Sequence, residues 1–126
     1  MSIKANKSVL KHMFKKNANS KYNNKHCKSS DGYNFHSKLE RDYYEYLMQL
    51  KKNGDIYLIL RQTAFHLSPN IKYMVDFMIF WNNGEVTFED TKGIMTNEFI
   101  MKKKLVEDKF DIEIKIVKRT DFNKYI

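Results

Sequence analysis

Residues 73–93, YMVDFMIFWNNGEVTFEDTKG, read as two strands joined by a tight turn. Asn82-Asn83-Gly84 supplies residues tolerant of positive φ between two runs rich in β-branched and aromatic side chains. Side chains alternate faces along a strand. Val86, Phe88, Asp90 and Lys92 therefore share one face, and Thr87, Glu89 and Thr91 the other. On the first strand Met74, Asp76 and Met78 share a parity. Asp76 interrupts an otherwise apolar run, where a carboxylate is costly unless it is paired or holds a cation. A register that sets Asp76 against Asp90 would gather two carboxylates and the Lys92 ammonium at one place. An Asp76–Lys92 salt bridge without any ion is the plainer reading of the same residues. Glu89 points away from Lys92, which suits an exposed or partner-facing role. Phe77 to Trp81 is apolar on both faces, as expected of a central strand or a subunit contact. Trp81, beside the turn, suits hairpin packing.

Upstream, Ser37 to about Lys52 carries an apolar stripe of Leu39, Tyr43, Tyr46, Leu47 and Leu50 at helical spacing. Asn53-Gly54 is a stop signal. Ile56 to about Leu67 suits a strand, ended by the turn residues Ser68-Pro69-Asn70. The hairpin strands fall near 72–81 and 85–92. Asn97 to about Phe110 reads as a second helix, with Thr96 or Asn97 as N-cap and Glu98 near its positive end. Asp111 to Val117 alternates, with Ile112, Ile114 and Ile116 on one face. The order is helix, three strands, helix, strand, an α/β arrangement. The crossover helix predicts that the last strand runs parallel to one hairpin strand. Thr120 to Ile126 shows no pattern that defines an element.

Charge divides the chain near Asp31-Gly32. Residues 1–30 hold eight lysines and no acid, whereas basic and acidic side chains balance over 31–126, so the first segment carries the whole formal +8. The expected organisation is a flexible basic arm, 1–30, and one folded domain, 31–126. A Lys- and Asn-rich arm without apolar periodicity cannot fold alone, but beside a polyanion it gains affinity by releasing counterions. Lys21 and Lys25 in the arm, with Lys102 and Lys103 on the second helix, are the candidate DNA contacts; the helix lysines equally suit a solvated face. No stretch is long and apolar enough to span a bilayer, and Cys27 is the only cysteine, so a cytoplasmic protein is expected. His12, His26, His36 and His66 lack the paired spacing of a structural zinc site.

Asp76 and Asp90, with the Thr91 carbonyl, have the hard oxygen chemistry that Mg2+ prefers, with Mn2+ as substitute. Lys92 lies on the Asp90 face and can reach a phosphate or an attacking water. Glu40 has two readings: Ser37-Lys-Leu-Glu40 matches a capping box, and Glu40 could equally be a third acid of the site.

Lys21-Tyr-Asn-Asn-Lys25, Asp31-Gly-Tyr-Asn-Phe-His-Ser-Lys-Leu-Glu40, Arg61-Gln62, Val75-Asp76-Phe77 and Glu89-Asp90-Thr-Lys92-Gly93 occur in an order that resembles small phage-encoded PD-(D/E)xK nucleases of the Holliday-junction resolvase-like group. The resemblance spans roughly residues 20–117; Val75 stands where the superfamily's name has proline. It implies a restriction-endonuclease-like αβββαβ core, a mixed sheet flanked by helices. It further implies a Mg2+-dependent endodeoxyribonuclease acting on branched DNA in phage recombination or replication, in a bacterial host's cytoplasm. Glu40, Asp76, Asp90 and Lys92 are then the catalytic set, with Asp76, Asp90, Glu40 and Thr91 on the metal. Junction resolution needs two active sites, so a homodimer is expected. The alternatives are a non-catalytic basic nucleic-acid-binding module, in which the arm does the work, and cleavage of RNA.

Overall fold

Ser37 begins the first helix by accepting the Glu40 amide on its side-chain oxygen at 3.1 Å, and Asn53 with Gly54, at φ 90°, ends it. The structure, a computed structural model, describes residues 26–125. Its order is β1 (Cys27–Lys28), β2 (Asn34–Phe35), α1 (Lys38–Lys52), β3 (Ile56–Ser68), β4 (Ile71–Trp81), β5 (Val86–Thr91), α2 (Asn97–Phe110) and β6 (Ile114–Val117). Two 3-10 turns follow, Arg119–Asp121 and Asn123–Tyr125. The larger sheet has the order β3-β4-β5-β6, with antiparallel β3–β4 and β4–β5 pairs and a parallel β5–β6 pair. The protein is thus α/β, a mixed sheet flanked by helices, with β4 inside the sheet as its doubly apolar run requires. No helix among the described residues is long and apolar enough to cross a membrane.

Three details depart from the sequence reading. Residues before Asp31 pack with the domain: β1 and β2 form a small hairpin, Ser29 is buried, and Ser30 bonds Glu45 through its amide at 2.5 Å and its hydroxyl at 2.8 Å. The rest of the expected arm, with Lys21 and Lys25, lies outside the described residues. The last strand starts at Ile114 because Asp111 takes a left-handed conformation, φ 52°, that caps α2 and uses the next residues to turn. Finally, the patternless C-terminal segment places Phe122 in the core, 1% exposed, against Tyr43 and Tyr46.

The two helices cover opposite faces. Phe88 of β5 packs in a cluster with Val106 of α2, while its neighbour Glu89 meets Tyr43 of α1. Tyr73 and Val75 belong to the α2 cluster, yet Phe77 and Ile79, of the same parity, pack with Tyr43, Tyr44 and Leu47 of α1. The alternation of β4 therefore changes phase at Asp76. The same change occurs in β3, where Phe65 packs on the α2 side and Ile59 on the α1 side. Between them Gln62 holds φ 53°, a left-handed backbone in mid-strand. The register holds across this point, with Arg61 opposite Phe77 and Thr63 opposite Val75, so Gln62 faces Asp76; it shifts only nearer the strand ends, between Ile56 and Leu58 and between His66 and Ser68.

Candidate active site

The phase change opens the sheet where the acids lie. The β4–β5 ladder ends at the pair Phe77–Glu89, which sets Asp76 against Asp90 one residue further on. There the main-chain ladder gives way to an exchange with side chains. The Asp76 amide donates to Asp90 Oδ1 at 2.7 Å, and the Thr91 amide donates to Asp76 Oδ2 at 2.9 Å. The Thr91 hydroxyl adds a bond to the same Oδ2 at 3.0 Å. Each carboxylate thus grips the other strand and is gripped by it.

Asp90 is 1% exposed and accepts the Tyr73 hydroxyl on Oδ2. Burial pushes its pKa up to about 6, opposed by the Asp76 amide and by the charges of Lys92 and Lys103. Glu40, also buried, directs its carboxylate to Gln62, so only the Ser37 half of the capping box forms. Burial raises the Glu40 pKa to about 7, and the charge of Asp76 adds to the rise; Arg61, the Gln62 bond and Lys92 oppose it. The Lys92 ammonium lies 4.7 Å from the ring centroid of Phe99, and its charge reaches both Glu40 and Asp90. Lys102 and Lys103 are tied to Glu98 and Glu107, each at 3.0 Å.

Gln62 enters the sequence reading only within the Arg61-Gln62 motif, with no role of its own. Its Nε2 donates to Glu40 Oε1 at 3.0 Å and to Asp76 Oδ1 at 3.2 Å, so one neutral amide links the two acids. A signal was present: a two-residue turn at Pro69-Asn70 sets residue 62 within one position of facing Asp76. Tyr73 was also missed, since nothing in a strand tyrosine announces where its hydroxyl ends. Glu89 is corrected outright. It is 2% exposed, not solvent-facing, and accepts the Tyr43 hydroxyl and, at 2.7 Å, the Thr87 hydroxyl, which itself accepts Trp81 Nε1 at 2.8 Å.

Among the described residues no three Asp, Glu, His or Cys side chains are gathered to hold one ion. Of the expected acids, Asp76 and Asp90 oppose each other across the strands, and Glu40 is joined to Asp76 through the Gln62 amide that bonds both. The pair Asp76 and Asp90 still fits a hard cation. Each ionised oxygen has two acceptor sites, Asp90 Oδ1 and Oδ2 and Asp76 Oδ1 each accept one hydrogen bond, and Mg2+ needs only one or two carboxylates when water and phosphate complete its shell.

The chain belongs to the family described as "Protein of unknown function (DUF1064)", whose model matches residues 19–125. No curated protein and no solved structure matches it.

Proposed function

We propose that this protein is a metal-dependent endodeoxyribonuclease of PD-(D/E)xK type that hydrolyses phosphodiester bonds in branched DNA. The observation that carries the proposal is the reciprocal grip of Asp76 and Asp90 across the opened strands, with the charge of Lys92 felt at Asp90. A fully buried acid paired with a half-buried one beside a cation is expensive to maintain for structure alone. Asp76 and Asp90 would hold Mg2+ or Mn2+, which when bound supplies Lewis-acid stabilisation of the phosphate and a more acidic water. Tyr73 and the Asp76 amide fix Asp90, and the Thr91 amide and hydroxyl fix Asp76, so the oxygens are oriented before substrate arrives. Lys92 offsets the negative charge that builds on the phosphate. Glu40 stands at the edge, coupled to Asp76 through Gln62. The lysine-rich first segment adds affinity for the polyanion without reading sequence.

The test is direct. The full chain with Mg2+ should cut four-way or forked DNA, while Asp90→Asn and Lys92→Ala should bind the same DNA and fail to cut it. Unimpaired cutting by Asp90→Asn would sink the proposal, and binding without cutting by the wild type would favour the non-catalytic module.

A further inference from the structure

Arg61 lies beside Glu40 in a nest of rings. Its guanidinium carbon is 3.9 Å from the ring centroid of Phe35, 5.3 Å from that of Tyr33 and 5.6 Å from that of Tyr44. Nη2 donates to the Asn34 carbonyl at 3.2 Å, but Nε is buried and meets no acceptor among the described residues. Folded proteins leave few buried donors unpaired. On a cation next to a candidate active site, whose charge already acts on Glu40, this is a donor that no acceptor among the described residues takes up.

Tyr33 extends this nest outward. Its amide donates to Ser29 Oγ at 3.0 Å, and its carbonyl accepts the Ser29 amide at 2.8 Å and the Ser29 hydroxyl at 3.1 Å. The backbone is thus held at both ends while the residue remains 55% exposed, its ring edge-on to Tyr44. The Tyr33 side chain is thus presented at the surface. Asp31, the nearby acid, is occupied by the hydroxyls of Tyr44 and Ser29.

We infer that Tyr33 and Arg61 form a subsite for a DNA strand adjoining the cleavage position, in which Tyr33 stacks on an unpaired base and Arg61 donates to a neighbouring phosphate. The inference rests on the nuclease reading and deepens it by naming the substrate class, DNA with unpaired nucleotides at the branch. An aromatic face on a protein surface stacks most readily on a base released from the duplex, and does so whatever the base. A guanidinium already laid against rings is oriented for a phosphate in a way that a lysine on its flexible stem is not.

The experiment measures binding by fluorescence anisotropy in the full chain carrying Asp90→Asn, which suppresses cutting. The probes are a labelled fork with two unpaired arms and a blunt duplex of the same length, at one salt concentration. The parent should prefer the fork by about tenfold, the order of one stacked base. Tyr33→Leu should bring the two affinities together, and Tyr33→Phe should keep the preference. Arg61→Met should weaken binding to the fork and lower its salt dependence by about one phosphate contact. Because Arg61 also ties β2 to β3, the Tyr33 pair decides the matter on an exposed ring where folding is not at stake. A fork preference that survives Tyr33→Leu, or is lost in Tyr33→Phe, overturns the subsite. If the wild type cuts branched DNA and Tyr33→Leu leaves the preference intact, the subsite alone falls. If the wild type neither binds nor cuts, the nuclease reading falls with it.

Discussion

Gln62 combines a left-handed backbone in mid-strand with an amide shared by two acids. An L-residue held there costs about 1–2 kcal/mol. Gln62→Gly should therefore unfold at higher denaturant than Gln62→Ala, by about 1 kcal/mol in urea titration, since both lose the amide and only glycine relieves the backbone. The raised pKa values of Glu40 and Asp90 give a second expectation. Each carboxyl holds its proton more tightly when folded, so its contribution to stability is complete below the unfolded value. It is lost as pH rises through about 6 for Asp90 and about 7 for Glu40. In chelator, the melting temperature should fall between pH 5 and pH 8, and Glu40→Gln should flatten that slope; a slope unchanged in Glu40→Gln would contradict the assignment. The opposition of Asp76 and Asp90 was legible, because Asn82-Asn83-Gly84 narrows the register and a lone acid in an apolar run is conspicuous. The role of Gln62 was not, because a positive φ at a non-glycine residue leaves no mark in composition.

The link between α1 and β5 has energetic consequences of its own. Glu89 is enclosed by α1 and satisfied by Tyr43 and Thr87. Removing the Tyr43 hydroxyl leaves a buried carboxylate short of a donor, so Tyr43→Phe should destabilise the protein by about 1–3 kcal/mol in equilibrium unfolding. Burial, with Glu89 beside it, also holds the Tyr43 phenol well above the ordinary tyrosine range, so Tyr43 remains a donor at every working pH. Helix and strand limits were readable where local chemistry sets them: Ser37 and Thr96 accept the expected amides, and Asn53-Gly54 ends α1. The burial of Glu89 was not readable. A period of two says which side chains share a face, not which helix will cover it. Nor did alternation disclose its own break at Asp76, where the strands part to make room for the acids.

Across the molecule, two helices on opposite faces of one sheet leave the acids at the place where β4 and β5 separate. The C-terminal turns complete the α1 face by inserting Phe122 against Tyr43 and Tyr46. Phe122→Ala should cost about 3–5 kcal/mol, read as a lowered denaturation midpoint with an unchanged m-value. That residue escaped the sequence reading because a few residues of 3-10 turn carry no periodicity, whereas the order of strands and helices followed from the turn signals and the crossover. The account as a whole stands on a divalent cation held between β4 and β5 by Asp76 and Asp90. The most direct measurement is a calorimetric titration of the full chain with Mn2+, beside Asp76→Asn and Asp90→Asn shown to be folded by circular dichroism. Saturable binding in the wild type that disappears in both variants is the predicted result; no binding, or binding that both variants retain, would contradict the account.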